Sequence, residues 1–211
     1  DDKGLVERAQ QKHGLTAPEI AVLLAYAKIT LKETLLDSPL PDSEDVHELL
    51  VNYFPAALIE HCRGLLSAHP LKRDIITTQL VNRLVNRMGT TFVMQVSEET
   101  AASPAQVVGA WYATSCVLDG EGLWRELESL DLVIDAARQM ELMVGLRLMV
   151  TAATLLVLTQ RDASIGQLVA DYRAAAVECI AGIRGDKSGA QAVTALIDER
   201  TAVVAAFELV N

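Results

Sequence analysis

HPLKRDIITTQLVNRLVNRMGTTFVMQVSEETAASPAQVVGAW, residues 69–111, is the stretch whose reading decides the fold. Set on a helix at about 100° per residue, Ile76, Leu80, Val81, Leu84, Val85 and Met88 fall on one arc. Thr78, Gln79, Asn82, Arg83, Asn86 and Arg87 fill the opposite arc, with Ile75 among them. Between Ile75 and Met88 the polar arc holds no acid and no lysine. Solvated helix faces are usually written in Glu, Lys and Gln, which favour helix. Here Thr77, Thr78, Asn82 and Asn86 together cost about 2 kcal/mol relative to Ala. Arg83 and Arg87 add a like-charge pair at i,i+4. Two readings stay open: a surface helix of odd composition, or a polar face that is buried or partnered.

Outward from this stretch, every segment reads as helix. Residues 5–12 form a short one that stops at Gly14. Thr16 and Glu19 stand at capping-box spacing with Pro18 in the first turn, and the helix they open runs to Asp37. Ile20, Leu23, Leu24, Ala27, Leu31 and Leu35 give it a wide apolar face. Ser43 caps a helix through Tyr53, Pro55 opens another through Ser67, and His69-Pro70 breaks the chain again. The central helix starts near Leu71. Gly89 interrupts it with a kink or short break, and helix continues to Glu99, the alternative being a hairpin around VMQV. Ser103-Pro104 with Gln106 caps the next helix, which Asp119-Gly120 closes.

Residues 123–130 form a short helix and 132–160 a long one. Asp135, Arg138 and Glu141 make a charge ladder along its first half. Its second half, LMVTAATLLVL, carries no charge on any face and is expected at the middle of the bundle, Thr151 and Thr154 bonding preceding carbonyls. Ser164 with Gln167 caps a helix to Ile183, GIRGDKSGA links, and 191–209 is the last helix. The fold class is all-α: a multi-helix bundle of about nine or ten helices with no strand. Residues 1–211 read as a single helical domain, and the one candidate internal boundary lies near 119–122.

Composition narrows the function. Apolar residues make up 51% of the 211, which excludes disorder. With 28 acids against 18 bases, the formal charge of −10 is the wrong sign for non-specific nucleic-acid binding. Three scattered cysteines, Cys62, Cys116 and Cys179, make a poor disulfide framework and fit a reducing compartment. The chain opens DDKGLVERAQ with neither an apolar leader nor an initiating Met, as expected of an excised domain. Its longest uncharged apolar run, 148–158, is about half a membrane span. The expected location is the cytoplasm.

No motif for chemistry emerges. In GIRGDKSGA, Lys187-Ser188 sits among glycines, but Asp186 stands where a phosphate loop needs Gly, so the segment reads as a linker. No G-x-G-x-x-G follows a strand, so no dinucleotide site is expected. His13, His47, His61 and His69 lack ligand spacing. His69, before Pro70, is expected to hold a backbone carbonyl or a carboxylate at a helix start. Catalytic, cofactor and metal residues are therefore assigned to none. Gln79, Asn82, Arg83, Asn86 and Arg87 are the candidate interface with another domain or subunit. The competing reading is an intramolecular network in which Arg83 and Arg87 meet acids such as Glu98 and Glu99.

Five blocks occur in order: LTAPEIAVLLAYAKITL (15–31), YFP (53–55), HPLKRDIITTQLVNRLVN (69–86), GTTFV (89–93) and EET (98–100). Together they resemble the C-terminal region of the large-subunit, NAD-specific glutamate dehydrogenases of bacteria. The resemblance is strong from Gly14 to Trp111 and thins to a helical pattern beyond. One departure stands out: the family usually has Gly after EET, where this chain has Ala101. The resemblance implies a parent enzyme that interconverts glutamate with 2-oxoglutarate and ammonium, passing hydride to NAD. Its catalytic lysine, its catalytic acid and its dinucleotide fold would lie in a preceding domain. The implied partners are that catalytic domain and further copies of the parent in a homo-oligomer, with neither nucleic acid nor membrane. Two other readings remain: a free-standing helical adaptor or ligand-sensing regulator, and an enzyme using an apolar pocket near Trp111 or Trp124.

Overall fold

The computed structural model describes residues 3–159 and 164–170. The linker at 182–190, the last helix expected at 191–209 and Cys179 lie outside the described residues. Within them the fold is all-α, with no strand. VMQV, the hairpin alternative, lies inside a helix.

Two compact units divide the chain, Asp1–Met94 and Gln95–Asn211. The 119–122 turn lies inside the second. In the first unit, α1 (Lys3–Gln10) leads to α2 (Ala17–Leu36). Thr16 caps α2 as its spacing predicts: its hydroxyl and its N–H donate to Glu19 Oε2 at 2.6 and 2.7 Å. Arg8 of α1 reaches the other carboxylate oxygen, joining the two helices. The Thr16 hydroxyl bond first, then the Thr16 N–H and Arg8, holds the Glu19 carboxyl below the usual carboxylate range.

Beyond α2, two 3-10 turns, Leu40–Asp42 and Glu44–Val46, lead into the short α3 (His47–Val51). Ser43 Oγ accepts from the Asp45 N–H at 3.2 Å, so the expected cap is present but the helix it opens is broken up. α4 (Ala56–Cys62) likewise runs out into a 3-10 segment, Arg63–Ala68. α5 (Lys72–Met88) is the element these pack around, with α2 and α3 both against it. All six residues of its predicted apolar arc are buried, and Ile76, Leu80, Leu84 and Met88 have no exposure at all. α5 ends where Gly89 takes φ 87°, a conformation that a side chain resists. The interruption is a break, since α6 (Phe92–Thr100) starts afresh three residues later.

The second unit is centred on α7 (Pro104–Val117), against which α9 (Ala136–Thr159) packs, with α8 (Gly120–Glu128) touching both. Ser103 and Gln106 close their capping box, Gln106 N–H donating to Ser103 Oγ and Ser103 N–H to Gln106 Oε1. Two expectations are corrected here. The first concerns Asp119-Gly120, expected to close α7 ahead of a helix at 123–130. Asp119 is instead the left-handed N-cap (φ 49°) of a helix that begins at Gly120. Its carboxylate lies over the first turn, where a Cβ on Gly122 would fall 2.3 Å from Asp119 Oδ2.

The second correction concerns the buried centre. LMVTAATLLVL was expected to be buried on all sides. One face of it is, through Met149, Val150, Ala153, Thr154 and Val157, but Leu148 is 66% exposed. The helix buried all round is α7, whose residues from Val107 to Thr114 are buried without a gap. Gly109, Ala110 and Ala113 let neighbours approach it from several sides, whereas the long side chains of α9 do not all find cover. By length and composition α9 is also the one described helix apolar enough to cross a membrane, yet one face of it is packed on α7. Its finer details follow the sequence. Arg138 pairs with Glu141 at 2.8 Å and its N–H with Asp135, and Thr151 and Thr154 donate to the carbonyls of Arg147 and Val150.

Ala101 occupies the position after α6 with φ 56°. That left-handed conformation costs a Cβ-bearing residue about 1 kcal/mol and glycine almost nothing. The substitution Ala101→Gly is expected to stabilise the chain by about 0.5–1 kcal/mol, read as a higher urea midpoint at unchanged slope. The second unit's core would have to be distorted for the midpoint to fall.

Glu19 yields a pH prediction. Its folded pKa is depressed, so its stabilising contribution is present above the unfolded value and lost as pH falls through the folded one. Amide exchange in the first turn of α2 is expected to quicken below the ordinary carboxylate range, and Glu19→Gln should show no such step.

Candidate functional site

The five polar residues predicted as an interface lie along α5 on the side away from its core arc. Gln79, Asn82, Arg83 and Arg87 are half-buried and Asn86 is exposed. Among the described residues, the side chains of Gln79, Asn82, Arg83 and Asn86 make no hydrogen bond or ion pair, whereas Arg87 has a partner. Four of the five therefore keep their hydrogen-bonding groups available among the described residues, three amides and one guanidinium.

The polar anchoring of α5 lies instead at its first turn, a role the sequence reading did not assign. Arg73 donates through Nη2 to the carbonyls of Leu36 at 2.5 Å and Ser38 at 3.1 Å, and through Nη1 to Asp42. Those carbonyls belong to the end of α2 and its exit, where helix geometry leaves acceptors unpaired. One planar guanidinium thus satisfies three acceptors at once from a fixed, spread fork of donors, where a lysine would offer its three from a single nitrogen. Beside it Asp74 pairs with Lys32 of α2 at 3.2 Å. The signal was available in principle: a basic residue in KRD at the start of α5, and an unsatisfied helix end before Pro39. What linked them was tertiary.

α2 holds the second surprise. Of its predicted apolar face, Leu35 is buried and Leu24, Ala27 and Leu31 are half-buried, but Ile20 and Leu23 are exposed. With them stand Leu15, Tyr26 at 57% and Ile29 at 52% exposure. Between Glu19 and Lys28 the helix carries no charge, so every exposed side chain there is apolar. The periodicity identified which residues could be buried, and within α2 only Leu35, near its C-terminal end, is fully withdrawn from water.

His69 differs from its expected role. Its Nδ1 accepts from the Leu71 N–H at 3.1 Å, capping the approach to α5, and its ring lies 5.6 Å from that of Phe54. Among the described residues no three His, Cys, Asp or Glu side chains gather as a metal site. Cys62 and Cys116 are both half-buried.

Among the described residues these elements define an all-α architecture in which Arg8 and Arg73 fasten helices to one another, while polar groups of α5 and apolar side chains of α2 stand open. Residues 12–201 match the family described as "Glutamate dehydrogenase, C-terminal". The chain belongs to that family, and the match continues far past Trp111, where the block-by-block resemblance thins. Among curated relatives, the NAD-specific glutamate dehydrogenase of Pseudomonas aeruginosa is 41% identical over 67% of this chain and 9% of its own length. That of Halomonas elongata is 34% identical over 81% of the chain and 11% of its own length. The enzyme of Mycobacterium tuberculosis is 35% identical over 63% and 8%. The chain therefore spans about a tenth of the length of the relatives it matches.

A pair of substitutions separates the two polar groups of α5. Arg73→Met, which leaves the α2 carbonyls without their donor, is expected to cost about 2 kcal/mol. Asn82→Ala should cost under about 0.5 kcal/mol in this chain alone. Urea unfolding of both variants checks this, and equal costs would contradict the division between anchor and open face.

Proposed function

We propose that this chain is the helical C-terminal domain of an NAD-dependent glutamate dehydrogenase, serving structure or regulation rather than chemistry. In this reading the parent enzyme converts L-glutamate to 2-oxoglutarate and ammonium in the cytoplasm, with hydride passing to NAD in a separate catalytic domain. The domain packs on that core or on another subunit of a homo-oligomer and so holds the cleft geometry. Small displacements of reacting groups cost large factors in rate, so a supporting domain has a direct route to activity. Alone, the 211 residues are inactive.

The observation that carries the reading is the family match over 12–201, together with relatives about ten times the length of the matched segment. The residues present do not suit a nicotinamide cofactor: the described part has no strand leading through a glycine-rich turn into a helix. NAD therefore belongs to the parent in this reading, and no step is assigned to a residue here. The open amides and guanidinium of α5 support an interface role, since such groups recognise a partner rather than merely hide from water.

The test is an immunoblot of the source cell's extract with antibody against this chain, beside a native gel stained for glutamate-dependent NAD reduction. A band far larger than 22.8 kDa that coincides with the activity stain is expected. A band near 23 kDa without activity would remove the enzymatic parent and favour a free-standing adaptor.

A further inference from the structure

We infer that the exposed apolar arc formed by Ile20, Leu23, Tyr26 and Ile29 of α2, with Leu15 just ahead of its cap, is the seat of an apolar segment of the same parent polypeptide from outside these 211 residues. The inference rests on the parent reading above and deepens it by naming the surface.

Three observations carry it. First, IAVLLAYA, residues 20–27, is apolar on every face, and a helix of that kind is covered in its working state. α5 covers only one side, so a row of large side chains from Leu15 to Ile29 is left in the open, more than the scattered exposed residues of an ordinary surface. Second, the arc is built, not frayed. The Thr16–Glu19 cap and the Arg8 bridge fix the start of α2, and Arg73 fixes its end. Such a preorganised face binds without the ordering cost of a mobile one. Third, the chain accounts for only 8–11% of the length of the relatives it matches, so most of a parent polypeptide is available as the occupant. A second copy of this chain suits the arc less well, because each copy brings a formal charge of −10.

Charge also sets the partner's chemistry. Within α2 the charged residues border the arc only at its ends, with Glu19 and its partner Arg8 at one and Lys28, Lys32 and Glu33 at the other. The complementary surface should therefore be an aliphatic or aromatic strip about two to three helical turns long, free of charge along its middle.

The test uses the full-length parent dehydrogenase carrying Tyr26→p-benzoylphenylalanine, irradiated, separated on a denaturing gel and mapped by mass spectrometry. The expected product keeps the mass of one polypeptide and joins position 26 to a peptide outside the 211 residues. A product of doubled mass, linking two copies, would overturn the inference in favour of a subunit contact. So would an unreacted probe at position 26 when the same label at the neighbouring exposed position, in the double variant Leu23→p-benzoylphenylalanine/Tyr26→Phe, is also unreacted while a control label at the buried Leu35 does react. A second measurement uses Leu23→Glu in the same full-length enzyme. Because Leu23 is exposed in the chain itself, its helices should hold, while protease releases the domain from the rest at least tenfold faster. Unchanged release overturns the inference. Should this sequence occur only as a 22.8 kDa chain, the parent reading fails and the inference with it. A large dehydrogenase with a negative cross-link sinks the inference alone.

Discussion

Everything in the first unit depends on one seam. Ile76, Leu80, Leu84 and Met88, each one turn from the next, are wholly withdrawn from water, and α2 and α3 close over them. Four large side chains at i,i+4 spacing form a continuous ridge, and burying each contributes about 1.5–3 kcal/mol. That contribution outweighs the weak helix formers of α5, the buried Thr77 and, on the far side from the core, Thr78, Asn82 and Asn86, whose combined cost is of the order of 2 kcal/mol. The polar composition of that far side is thus tolerated because of the ridge. It is not what forms the helix.

How much of this could be read from sequence follows from the range of the interaction involved. Caps were legible because both partners lie within four residues: Thr16 with Glu19, Ser103 with Gln106, Ser43 with Asp45. The seam of α5 was legible because its period is a local property. Ala101 was visible as a departure from the family's glycine, and its φ of 56° supplies the physical meaning. Other features depended on what lies alongside. LMVTAATLLVL and PAQVVGAWYATSCV are both uncharged, and only packing decides that α7 takes the centre while α9 keeps an open side. Asp119 in a left-handed conformation turned a helix stop into a helix start within one residue, a choice composition does not encode.

The candidate site was legible in the same uneven way. Composition singled out Gln79, Asn82, Arg83, Asn86 and Arg87 as unusual, and among the described residues their groups remain open apart from Arg87. The residue that anchors α5, Arg73, carried no local mark of its role, since its three acceptors lie more than thirty positions away. The first half of α2 was read as a core face for the opposite reason: periodicity reports apolar character and is silent about supply of cover. Polar openings on α5 and apolar ones on α2 are two different incomplete surfaces within one unit, and both lie in the part of the chain that most resembles the family.

Arg73 also bears on how the unit assembles in time. Its bonds to Leu36 and Ser38 span 37 and 35 positions. Closing a loop of that size costs about 3 kcal/mol in chain entropy before any contact is made. A hydrogen bond whose net value is about 2 kcal/mol cannot meet that alone, so the guanidinium must arrive after hydrophobic collapse has brought α2 and α5 together. An interaction that closes on the native side of the folding barrier leaves the folding rate nearly untouched and slows unfolding. That is the behaviour to expect of the Arg73 clamp: a latch that sets how long the folded unit lasts.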